Sequence, residues 1–117
     1  MKINEIPEAF CSSLRIKIIS SLLISSRSFI ELLEITQATR GNLSVQLSKL
    51  EDWNYISSEK VILNKKTKTT YTITPFGFKQ FEAYIMALQQ ILMSVQNSDS
   101  WKKLYTNKII LILNTAP

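Results

Sequence analysis

The chain has 117 residues, enough for one domain with its own apolar core, and its 14 Lys and Arg outnumber its 9 Asp and Glu to give a net charge of +5. One cysteine and no histidine exclude an intrachain disulfide, the common zinc ligand sets and any histidine-based catalytic triad. The longest apolar run, Ile109–Leu113, is far too short for a bilayer span. The opening MKINEIPEAF lacks the apolar core and cleavage site of a secretory leader, so a soluble cytoplasmic protein without membrane association is expected.

The charge is unevenly placed. Residues 1–39 balance Lys2, Arg15, Lys17 and Arg27 against Glu5, Glu8, Glu31 and Glu34. Residues 40–79 set Arg40, Lys49, Lys60, Lys65, Lys66, Lys68 and Lys79 against Glu51, Asp52 and Glu59. A cationic middle segment favours a polyanionic partner, with nucleic acid first.

Pro7 suits the first position of a helix, and Glu8 places a favourable charge in its first turn. Phe10, Leu14, Ile18 and Leu22 form one stripe and Ile16, Ile19 and Leu23 a second, which predicts a helix buried on two sides. Ser25 to Arg27 read as a short loop. Ser28 and Glu31 have capping-box spacing, and Phe29, Leu32, Leu33 and Ile35 supply the inner face of a second helix. Thr36–Thr39 is a break, and Thr39 caps a third helix whose Leu43, Leu47 and Leu50 point inward at i, i+4 and i+7. Two helices joined by a short turn, the second with a polar outer face, read as a helix-turn-helix. Tyr55–Leu63 and Thr69–Thr74 are rich in β-formers around the polar turn Asn64–Lys68, so a two-stranded ribbon follows.

Thr74-Pro75 caps and starts a fourth helix carrying Phe78, Phe81, Ile85, Leu88 and Leu92, widened by Tyr84, Ile91 and Val95. That stripe is broader than one small domain covers, so part of it is expected to meet a second subunit. After the polar break Gln96–Ser100, Trp101, Leu104, Tyr105, Ile109 and Ile112 favour an amphipathic helix over a strand. The organisation read from this is a DNA-binding domain with dimerisation helices at 1–95 and a tail at 96–117 that can serve as an extra helix in a dimer. The fold class is mainly α with a small β-ribbon, a winged helix-turn-helix with a long C-terminal dimerisation helix.

Two short patterns carry a resemblance. Gly41-Asn42-Leu43-Ser44 followed by Leu47 and Leu50-Glu51, and Tyr71-Thr72-Ile73-Thr74-Pro75-Phe76-Gly77, resemble the recognition helix and wing exit of small winged-helix transcriptional regulators of the ArsR/MarR group. The match spans about Arg15 to Leu92. It implies dimerisation through the first and last helices and binding to pseudo-palindromic double-stranded DNA. Gln37 stands where the bend of such proteins often carries glycine, which points to a longer or differently shaped turn, and the tail after Ser100 lies outside the shared pattern.

The candidate contacts are Thr39, Arg40, Gly41, Asn42, Ser44, Val45, Gln46, Ser48 and Lys49 on the third helix, with Lys65, Lys66 and Lys68 on the ribbon tip. A recognition helix offers its N-terminal residues to base edges and phosphates. Arg40 suits phosphate or guanine, and Asn42 and Gln46 suit adenine, although Asn42 can instead bond within the helix. Ser44 and Ser48 offer hydroxyls, Val45 can meet a thymine methyl, and the lysines suit phosphate. Lys60 can point to either side.

Cys11 reads as a small buried apolar residue, Phe76, Phe78 and Phe81 as core, and Trp53 and Tyr55 as packing between helix and ribbon. No nucleophile has an activating base and no glycine-rich phosphate loop is present, so no enzyme, cofactor or metal is expected. The sequence offers no support for a small-molecule effector, although one is compatible with it. A dimeric repressor is the leading reading. The alternative is a winged-helix protein–protein module in an assembly or polymerase-associated complex, and a third is binding of structured RNA through the same face.

Overall fold

The computed structural model describes residues 1–97 and 100–115. It contains two compact units, Met1–Tyr84 and Ile85–Pro117. In the first, two 3-10 turns, Ile3–Glu5 and Glu8–Phe10, precede α1 (Ser13–Ile24), β1 (Arg27–Ser28), α2 (Phe29–Thr36), α3 (Arg40–Asp52), β2 (Ile56–Leu63) and β3 (Lys66–Ile73). α4 (Pro75–Asn97) begins in the first unit and continues into the second, which also holds α5 (Ser100–Thr115). The architecture is a winged helix, mainly α with a small antiparallel sheet, and the tail is helical as its spacing suggests.

The predicted first helix does not run from Pro7. The chain makes a 3-10 turn there, and a true helix starts only after Ser12, whose hydroxyl accepts from the Arg15 N–H at 3.3 Å. The turn delivers Phe10 to the centre of an aromatic cluster: stacked on Tyr84 at 4.9 Å and edge-on to Tyr55 and Phe81, each at 5.6 Å. Such edge contacts add to the burial of the rings themselves. The residue after Phe10 is thereby turned outward. Cys11 is exposed, contrary to the expectation of a buried thiol, and its Sγ donates to Pro7 O at 3.6 Å.

The capping box of α2 forms as its spacing predicts: Ser28 Oγ accepts from the Glu31 N–H and Glu31 Oε1 from the Ser28 N–H, both at 3.2 Å. Ile18, Ile19, Leu22, Leu32, Leu43, Leu47, Leu50 and Ile56 close the core with Phe10 and Phe81. Leu23, Ile35, Phe76 and Phe78, expected inside, are substantially exposed. The helices bury one stripe each, and these residues fall beside it.

A third strand corrects the two-stranded picture. Arg27 pairs with Tyr71 and Ser28 with Thr70, so the last residue of the supposed loop opens β1 and the sheet order is β1-β3-β2. The corner between β3 and α4 is tightly bonded. Thr74 Oγ1 accepts from the Gly77 N–H at 2.9 Å and lies within donating distance of Asn54 O (2.6 Å) and Tyr55 O (3.0 Å), and the Thr74 N–H donates to Tyr55 O at 3.0 Å. The second unit exposes Met86, Leu88, Ile91, Leu92, Met93 and Leu104. No helix among the described residues is long and apolar enough to cross a membrane.

Candidate nucleic-acid interface

The helix-turn-helix bend is short. α2 ends at Thr36, whose Oγ1 donates back to Leu32 O at 2.7 Å, and Gln37 follows at φ 57°, ψ 24° with its N–H donating to Leu33 O at 2.9 Å. This is the left-handed helix-ending conformation that glycine usually supplies. Gln37 adopts it without lengthening the turn, so the departure from glycine leaves the geometry of the bend in place.

Thr39 then caps α3: its side-chain oxygen accepts from the Asn42 N–H at 3.2 Å. Burial of Leu43, Leu47 and Leu50 turns Arg40, Gly41, Asn42, Ser44, Val45, Ser48 and Lys49 outward, and Val45 is 51% exposed. Gly41 has no positive φ, and a Cβ built on it meets nothing within 4 Å. Neither backbone conformation nor internal packing requires glycine at this position.

Gln46 departs from its expected place. It is half-buried, with Oε1 accepting from Arg15 Nη1 at 2.7 Å and Nε2 donating to Asn42 Oδ1 at 3.3 Å. Both ends of its amide are engaged within the protein, so it does not stand beside Asn42 as a second free reader. Arg15 is the residue that sequence reasoning misses, because it reads as an ordinary surface charge. It is only 6% exposed, donates through Nε to Ala9 O at 3.1 Å and through Nη2 to Glu8 O at 2.8 Å, and lies 5.4 Å from the centre of the Trp53 ring. A signal existed: Arg15 sits at i on the face whose i+3, i+4 and i+7 positions are Ile18, Ile19 and Leu22.

The ribbon turn is tighter than expected. β2 and β3 are joined by Asn64 and Lys65 alone, both at positive φ (52° and 65°), with Leu63 paired to Lys66. Two positive φ values in a two-residue hairpin define the mirror-image turn whose twist matches the strands. Lys65 is therefore the sole predicted lysine at the tip. Lys66 and Lys68 lie within β3, opposite Leu63 and Val61, and alternation puts their side chains on one face.

That placement brings the two halves of the site together. A cleft of about 670 Å³ is lined by Ser28, Phe29, Ile30, Arg40, Leu63, Lys66, Thr67, Lys68 and Thr69. Arg40 comes from the first turn of α3, its guanidinium 5.9 Å from the centre of the Phe29 ring, while Lys66 and Lys68 come from the ribbon. Three cations meet there and no carboxylate lines the walls. Lys49 and Lys65 lie outside the cleft lining, and Lys60 is exposed on the ribbon face shared with Ile56 and Ile62. Glu31, in the first turn of α2, is held below the usual carboxylate range by the Ser28 N–H, then by the Ser28 hydroxyl, with help from Lys68 and Arg27.

A family model described as a winged helix DNA-binding domain matches residues 14–92, and the chain belongs to that family. An uncharacterized protein of Methanocaldococcus jannaschii is 31% identical over 88 residues, covering 74% of this chain and 96% of that relative. The fold is similar to that of an Enterococcus faecalis V583 protein assigned to the MarR family of transcriptional regulators, with a TM-score of 0.70 at 18% identity over 81% of this chain and 86% of the other. It is also similar to a transcriptional regulator homologue from Pyrococcus horikoshii OT3, with a TM-score of 0.65 at 24% identity over 70% and 82% of the two chains.

Proposed function

We propose that this protein is a homodimeric transcriptional regulator, a repressor that binds a specific double-stranded DNA site through α3 and the ribbon and so occludes a promoter. The observation that carries the reading is the cleft in which Arg40 of α3 meets Lys66 and Lys68 of β3 without a lining carboxylate. Gly41 beside it has no internal reason to be glycine, which suits close approach of a phosphate chain to the helix N-terminus. In this reading α3 enters the major groove. Thr39, Arg40, Gly41, Asn42, Ser44, Val45, Ser48 and Lys49 lie toward base edges and phosphate, Gln46 acts only through its neighbours, and Lys65, Lys66 and Lys68 follow the backbone. The exposed apolar residues of the distal part of α4 and of α5 form the contact with a second copy, which gives the two-fold symmetry of an inverted-repeat operator.

Selection of bound fragments from random duplex DNA tests this directly. Enrichment of an inverted repeat is the expected result, and binding without any enriched sequence refutes sequence specificity. Purified protein that runs as a monomer at all concentrations refutes the dimer.

A further inference from the structure

Asn42 is exposed in the first turn of α3, yet the way its amide faces is set from inside the protein. Arginine has donors and no acceptor, whereas the amides of glutamine and asparagine have one end of each kind. Arg15 is pinned by Glu8 O, Ala9 O and the Trp53 ring, and its Nη1 points at Gln46. Gln46 must answer with its oxygen, since its NH2 there would set donor against donor. Its Nε2 is thereby sent toward Asn42, where it donates to Oδ1 at 3.3 Å. Asn42 must in turn meet that donor with oxygen, and the end left facing away is its NH2.

We propose that the Arg15–Gln46 relay fixes the polarity of Asn42, so that α3 offers a donor pair suited to an acceptor edge in the major groove: guanine O6 and N7, or thymine O4. The proposal rests on the DNA-binding reading above and names the base chemistry of that same surface. Adenine, which must both give and take, would have to share Asn42 Oδ1 with Gln46 through the one lone pair that bond leaves, so it is disfavoured against the acceptor edges. Arg15 and Gln46 are positioning residues here. They act through Asn42 from the half-buried side of α3.

The decisive variant is Gln46→Glu. One carboxylate oxygen takes the Arg15 donor and the other can only accept from Asn42, so the Asn42 amide turns over and presents Oδ1. Gln46→Met removes the relay and leaves Asn42 free to turn. Fragment selection with wild type and both variants is expected to show one position per half-site where guanine or thymine is favoured. There the Glu variant shifts preference toward adenine or cytosine by about tenfold, the Met variant loses preference, and other positions keep theirs. Identical preferences in all three proteins overturn the relay while leaving DNA binding standing; failure of wild type to enrich any sequence overturns the sequence-specific reading on which the relay rests. The free protein supplies a readout independent of DNA. The Asn42 side-chain amide resonances move downfield in Gln46→Glu as the NH2 gains a carboxylate acceptor, and unchanged resonances overturn the relay.

Discussion

The first turn of α3 and the first turn of α4 are built alike. Each starts from a threonine whose side-chain oxygen accepts from the third residue on, Thr39 from Asn42 at 3.2 Å and Thr74 from Gly77 at 2.9 Å. Each carries one of the chain's two glycines, and neither glycine has a positive φ. The surroundings separate them. A Cβ at Gly77 would lie 2.1 Å from Tyr55 O, whereas a Cβ at Gly41 meets nothing within 4 Å. One glycine is required because α4 must sit against the backbone entering β2. The other weakens a helix without helping the fold, which suits the proposed approach of a phosphate chain there. The same local chemistry therefore serves assembly at one site and an exposed surface at the other.

Gly77→Ala breaks the comparison hardest. The clash is with backbone oxygen, which cannot swing aside, and overpacking of this kind is expected to destabilise the protein by about 2–4 kcal/mol. A denaturant midpoint within error of wild type would mean the α4 corner is looser than its hydrogen bonds imply. A weaker salt dependence of DNA binding comes next. Neutralising Lys66 and Lys68 together is expected to lower affinity on all sequences and to reduce the slope of log K against log salt by about one for each lysine that pairs with a phosphate. An unchanged slope would remove the ribbon face of the cleft from the binding surface. Gly41→Ala is predicted to have the opposite sign to Gly77→Ala, stabilising the fold by up to about 1 kcal/mol through helix propensity while weakening DNA binding. Tighter or equal binding would show that the backbone there approaches nothing.

The sequence makes some of this plain and hides the rest for reasons that can be named. Leu43, Leu47 and Leu50 announce α3, and Ser28 with Glu31 announces the start of α2, because helical spacing and capping are local properties. β1 is two residues long and exists only through its pairing with Tyr71 and Thr70, so nothing local in Arg27–Ser28 marks it as strand. The ribbon turn reads as longer than it is because lysine is a poor marker of positive φ, although Asn64 points to it. The outward face of α3 is legible as a set of residues. That Gln46 is claimed by a buried arginine, and Arg40 by the cleft with Lys66 and Lys68, depends on contacts across the fold that no periodicity contains.

The smallest effect tests Glu31, whose charge feels the cleft lysine Lys68. Glu31 is ionised below the usual carboxylate range chiefly because the Ser28 N–H donates to it, then because of the Ser28 hydroxyl, with Lys68 and Arg27 adding attraction. A depressed folded-state pKa means that its contribution is complete above the unfolded value and is lost as pH falls through the folded one. Thermal stability is therefore expected to decline through the acid range as the capping box of α2 protonates, with no change from this group at neutral pH. Glu31→Gln keeps an acceptor for the Ser28 N–H, since glutamine also serves at this position of a capping box, but removes the titration. Melting curves of the two proteins from pH 3 to 7 should converge toward the acid end, with the variant showing the shallower decline. Parallel acid limbs would place the pH-sensitive contact elsewhere, and the cap beside the cleft would then be held by Ser28 alone.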